Sequence, residues 1–165
     1  MNPARGGWLI AATILVAMLL GVVHLPESWP NWMGWLRPNW LLLVLFFWVI
    51  EVPHRIGLLA IWCTGLLVDV LYAAPMGLNG FILASVAYIG WRFFERLRMY
   101  SVLQQCGLLF LLVLVAEIVS LFVFGVLGSE RAWRWQLLLS PLVTMALWPF
   151  MFLLLLRLRT GARVE

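Results

Sequence analysis

Lysine is absent from this 165-residue chain, and all eleven basic residues are arginines. Aspartate occurs once, at Asp69, and charged residues together make up only 11% of the sequence, against roughly 25% in a soluble domain. Histidine and cysteine occur twice each, with no C-x-x-C spacing, so a structural zinc site has almost nothing to be built from. Cys63 and Cys106 both fall inside apolar runs and read as small buried hydrophobes, not as a disulfide. No basic run interleaved with aromatics marks a nucleic-acid groove. G-x-S-x-G, H-E-x-x-H, a phosphate loop and paired carboxylates are all missing. No enzyme, metal or cofactor is expected.

What is abundant is apolar: 65% of residues, more than a soluble core of this size could hide. The solvent is therefore expected to be a bilayer. Six apolar runs, at about 8–23, 38–52, 56–73, 78–91, 102–127 and 136–156, are separated by charges or prolines. They are continuous and do not alternate, which argues against a β-barrel. The expectation is an all-α, polytopic membrane protein forming one transmembrane domain of six helices, the second and fourth short for the ~20 residues of a straight span. The first run follows Arg5 like a signal peptide, but no A-x-A site follows it, so it reads as an uncleaved span.

With six spans, one side receives Arg5, Arg55, Arg92, Arg96, Arg98, Arg157, Arg159 and Arg163, and the other only Arg37, Arg131 and Arg134. The positive-inside rule then puts both termini in the cytoplasm. Trp29, Trp32 and Trp35, with Trp133 and Trp135, fall in outer loops, as expected of an aromatic belt at the headgroup layer.

Polar groups inside spans are costly and mark candidate sites. Gly57, Ile61, Gly65 and Asp69 recur every four residues and share a helix face. The glycines invite close approach by the fourth span, which carries Gly80 and Ala84 beyond the turn at Gly77. Asp69 either holds the turn through backbone N–H groups or pairs with Arg37, expected at similar depth. Arg37 precedes Pro38 and Asn39, with Pro38 suited to a first helical position; a snorkelling contact with lipid headgroups is its other reading. Pro53-His54-Arg55 makes a sharp turn, with Glu51 nearby. Glu117 lies mid-span near Ser120 and Thr144, held by such hydroxyls or offered to a partner's helix. Pro149 is expected to kink the last helix.

Taken in order, Arg37-Pro38-Asn39-Trp40, Val52-Pro53-His54-Arg55, the run from Gly65 to Leu71 containing Asp69, Met76-Gly77-Leu78, and Leu147-Trp148-Pro149 with Arg157-Leu158-Arg159 resemble the motifs of the MreD family. The resemblance runs along the whole chain. It implies a non-enzymatic scaffold of the bacterial elongation complex in the inner membrane. The implied partners are MreC, which has a single transmembrane helix, and through it RodA with its class B transpeptidase, and the filament protein MreB. It also implies a fold similar to the substrate-binding components of energy-coupling-factor transporters. That likeness supplies the alternative reading, a membrane protein binding a small molecule or lipid carrier in an outer pocket.

Overall fold

A computed structural model describes residues 4–22, 37–53, 57–128 and 135–161. Among them are six α-helices and no strand. They are α1 (Ala4–Val22), α2 (Trp40–Glu51), α3 (Leu58–Leu71), α4 (Leu78–Met99), α5 (Val102–Val126) and α6 (Leu139–Gly161), the last preceded by a 3-10 turn at Trp135–Leu138. His54, Arg55, Trp29, Trp32, Trp35 and Trp133 lie outside the described residues.

The helices alternate in direction. The end of α1, the start of α2, the end of α3 and the starts of α4 and α6 meet around one cavity, which defines the Arg37 end of the bundle. Glu51, closing α2, and Arg159, in the last turns of α6, meet at the opposite end. At the centre is α2, buried at every position from Leu41 to Ile50. Helices α1, α4, α5 and α6 all touch it, while α3 packs on α4. Twelve residues make α2 roughly 18 Å long, short of the ~30 Å hydrocarbon core. By contrast α5 and α6, with 25 and 23 residues, are long and apolar enough to cross a membrane.

Local chemistry sets the helix ends. The Oδ1 of Asn39 accepts from Leu42 N–H at 3.1 Å, so Asn39 is the N-cap of α2. Pro38 accordingly sits one residue before the cap, not at the first helical position. Val52 closes α2 and Pro53 follows; with no N–H to give and a ring that clashes with the preceding turn, proline stops the helix there. Helix α3 ends on a Schellman motif: Ala73 N–H reaches Val70 O and Ala74 N–H reaches Asp69 O. Ala73 takes the left-handed position, φ 49°, that glycine usually fills. Ser101 and Gln104 form a capping box at the start of α5.

Two more expectations from the sequence need correction. The fourth helix does not end with its apolar run at residue 91: Arg92–Arg98 forms the last turns of α4, which continues to Met99 with Leu97 buried. Its residues are good helix formers, so the helix outlasts the apolar run. Cys63 is exposed, and only Cys106 is buried; both are free thiols. Position 63 faces away from the face that carries Ile61, Gly65 and Asp69.

That face is where α3 and α4 meet. A Cβ built on Gly65 would fall on the Gly80 backbone, and one on Gly80 would sit 3.2 Å from Trp62. Gly57, placed on the same stripe by spacing, meets nothing. Gly65→Ala should therefore overpack the crossing and cost about 1–3 kcal/mol, lowering the thermal midpoint in detergent, whereas Gly57→Ala leaves it unchanged. Equal midpoints for the two variants would contradict the close crossing at Gly65.

Candidate functional site

Asp69 is completely buried, on the last turn of α3. Its Oδ2 accepts the N–H of Gly77 at 2.8 Å, and its Oδ1 accepts both the N–H and the Nδ2 of Asn79 at 2.9 Å. Gly77 is the N-cap of α4, at φ 93°, where a side chain would be strained. Gly77 has no side chain to cap its own helix, so the carboxylate from the preceding helix takes that part. Placing a negative charge at a helix N-terminus is also electrostatically favourable, and three donors offset its removal from water. Asp69 thus holds the turn. Arg37 forms no ion pair with it; the carboxylate is engaged by the start of α4 instead.

Above that turn, between the helix ends, is a cavity of about 370 Å³. Polar groups on its wall come from Arg37 and Asn39 at the start of α2, Tyr72 after α3, Asn79 on α4, Glu117 on α5 and Ser140 on α6. Apolar wall comes from residues such as Leu42, Ile82 and Phe124. Gly21 leaves room for the Tyr72 hydroxyl, which a Cβ there would strike. Among the described residues Arg37 has no ion-pair partner. The sequence separates Arg37 from Glu117 by about half the chain, and the alternation of the helices brings both to one hollow.

Glu117 lines the cavity from α5. The hydroxyls considered for it are directed elsewhere. Ser120 donates to Ala116 O at 2.9 Å, and Thr144 donates to Ser140 O at 2.7 Å while accepting Asn39 N–H at 3.0 Å. That last bond ties the start of α2 to α6.

Several anchoring residues escaped the sequence reading. Gln105 is buried in α5 and donates to Leu97 O at 3.1 Å, satisfying a carbonyl at the end of α4. Its Oε1 accepts from Trp148 Nε1 at 3.2 Å. Trp148 is itself fully buried and meets Phe46 edge-on at 5.0 Å. Trp48 Nε1 donates to Thr13 Oγ1 at 2.8 Å, joining α2 to α1. At the far end Glu51 pairs with Arg159. A glutamine inside an apolar run and Ser-x-x-Gln before one were visible signals; the partners across 43 and 108 residues were not.

On the outer surface, an apolar groove runs between α1 and α3 over a floor of Leu41 and Leu45. Gly7, Ala11, Gly57 and Ala60 line it, and Cβ atoms on Gly7 and Gly57 would meet nothing. From Gly7 to Met18 the groove follows α1 for roughly 16 Å, about three turns.

Comparison with known proteins places this architecture. The family model described as rod shape-determining protein MreD matches residues 4–158. The chain belongs to the MreD family. A curated relative, the rod shape-determining protein MreD of Haemophilus influenzae, is 30% identical over 158 residues, covering 93% of this chain and 94% of the relative. No solved structure matches the chain. Membership supports a role in rod-shape determination, in a structural and not a known enzyme family.

In this MreD-family chain the Asp69 cap should be a principal stability element. Asp69→Ala leaves the Gly77 and Asn79 donors without their charged acceptor, at about 1.5–3 kcal/mol per bond to a charged group. Asn79→Ala removes only one of the three bonds and should cost markedly less. Thermal midpoints in detergent would check the order, and equal losses would show that the backbone bonds of Asp69 contribute little.

Proposed function

We propose that this MreD-family chain is a multi-pass scaffold of the bacterial inner membrane, with both termini in the cytoplasm. It binds the transmembrane helix of MreC and so helps organise the wall-elongation synthase, RodA with its class B transpeptidase, alongside MreB. It performs no catalysis of its own. Two features support the membrane setting. Large apolar side chains such as Leu19, Leu59, Val115, Phe122 and Phe150 are exposed on the outer surfaces of α1, α3, α5 and α6, where water would penalise them and lipid would not. The described arginines also segregate: Arg5 lies in the first turn of α1 and Arg92, Arg96, Arg98, Arg157 and Arg159 in the last turns of α4 and α6, at the Glu51 end, and Arg37 at the other. Under the positive-inside rule the Glu51 end is cytoplasmic.

The observation that carries the scaffold reading is the groove between α1 and α3. Lipid tails give helices no hydrophobic reason to associate, so a partner helix needs close approach at small residues. Gly65 and Gly80 already serve the internal crossing of α3 and α4. Gly7, Ala11, Gly57 and Ala60 have no such internal use: the glycines face open space and the alanines are exposed. They are the small residues positioned to admit a helix from outside. Binding of a small molecule or lipid carrier is a second reading, which draws on the polar cavity at the Arg37 end.

Filling the groove separates folding from partner binding. Ala11→Leu with Ala60→Leu should leave the folded amount unchanged, since both positions are exposed. Recovery of MreC with the protein in mild detergent should fall roughly tenfold, the equivalent of about 1.4 kcal/mol of packing. Full recovery of MreC by the well-folded double variant would remove the groove from the interface.

A further inference from the structure

Helix α4 runs on past its apolar stretch, and its last turns carry Arg92, Arg96 and Arg98 against the single acid Glu95, all four exposed. Glu95 lies three residues from both Arg92 and Arg98 and is ion-paired with neither, and among the described residues Arg96 has no ion-pair partner either. With 3.6 residues to a turn, Arg92 and Arg96 lie about 40° apart on one face, while Arg98 lies about 120° or more round the helix from both. The Arg92 guanidinium sits over the Phe93 ring at 5.9 Å, which leaves its N–H edges for an acceptor. Arg92 and Arg96 also line a hollow of about 460 Å³ beside the helix end. Further along α4, on the side turned away from its packed residues Gly80, Leu83 and Ala87, the side chains of Ile89, Tyr88 and Phe81 are exposed. From Phe81 to Arg92 the helix rises roughly 16 Å, about half of the ~30 Å hydrocarbon core, the depth of one leaflet. This surface is therefore apolar over one leaflet and ends in two arginines at headgroup level.

We propose that the Arg92–Arg96 face of α4 binds an anionic phospholipid such as phosphatidylglycerol. The phosphate is held by the two guanidiniums, whose planar forks suit its oxygens, and an acyl chain lies along Ile89, Tyr88 and Phe81. Selection is by net charge. Two cations without counter-ions favour a headgroup that stays negative, whereas an ammonium carried beside the phosphate is repelled by them. Glu95 opposes the anion and keeps the preference modest. An acidic protein segment would satisfy the same arginines but makes no use of the apolar track beside them, and that track favours a lipid. The proposal rests on the membrane setting argued above and not on the groove between α1 and α3.

The test is competitive retention by the full-length protein in detergent, read by native mass spectrometry. Phosphatidylglycerol and phosphatidylethanolamine with identical acyl chains are offered at equal concentration. The wild type should retain phosphatidylglycerol roughly tenfold better, the scale of one or two arginines beside an anionic headgroup. Arg96→Gln should lower that preference, and Arg92→Gln with Arg96→Gln should erase it. Arg98→Gln removes the same charge from the other side of the helix and should leave the preference unchanged. All three positions are exposed, so the variants keep the fold. Equal losses in Arg96→Gln and Arg98→Gln would reduce the effect to overall charge and overturn the site. Displacement of phosphatidylglycerol by an equal concentration of a polyglutamate peptide would assign the arginines to an acidic protein and also overturn it. Retention of both lipids without preference overturns the headgroup site while leaving the membrane setting intact; retention of neither overturns both.

Discussion

Everything in this bundle is arranged around the burial of α2. A twelve-residue helix cannot span a bilayer alone, and exposed backbone at its ends would be left without partners in hydrocarbon. Surrounding it with protein removes both difficulties. Its start is satisfied by the Asn39 side chain and by Thr144 of α6, and its end by a proline stop and the Glu51–Arg159 pair. In the proposed membrane setting apolarity alone would not hold α2 central, because the tails outside are equally apolar. Shape and a few directional bonds do that instead: the edge-on contact of Phe46 with Trp148, the bond from Trp48 to Thr13, and the close pass of Gly90 against Val49.

The same arrangement divides the molecule's surfaces by use. Since α2 is shorter than its neighbours, the helices around it stand above its start, and the hollow they leave is the polar cavity. Since α3 packs on α4 and not directly on α1, a groove remains between α1 and α3 with α2 as its floor. Asp69 links the two features: by fixing the turn from α3 into α4 it sets where Tyr72 and Asn79 meet the cavity and holds α3 at its distance from α1. A scaffold reading and a lipid-binding reading therefore address different surfaces of one framework and do not compete.

Much of the framework was legible in the sequence because it follows from periodic pattern and punctuation. Continuous apolar runs gave the helices, Pro53 a stop, and the four-residue repeat of Ile61, Gly65 and Asp69 the packed face of α3. One of the two readings of Asp69, a carboxylate holding the turn through N–H groups, is what forms; the Arg37 pair does not. Local capping signals such as Ser101 with Gln104 were present but easily passed over. What could not be read was long-range: that Glu117 and Arg37 line one cavity, that Gln105 reaches both Leu97 and Trp148, that Gly57 faces open space while Gly65 touches Gly80. These depend on how helices rotate about their axes, and in chains apolar on every side the hydrophobic pattern that would fix rotation is nearly absent. The end of α4 was missed for the converse reason, since a helix need not stop where its apolar run does.

The central claim is that the outer helix surfaces face lipid while α2 is enclosed. Spin labels at Leu19, Val115 and Leu153, all exposed on the outer surface, would test it directly in reconstituted bilayers. The account predicts that each label collides readily with oxygen and poorly with a water-soluble nickel complex. Ready access of the nickel complex to these three positions would place them in water and contradict it.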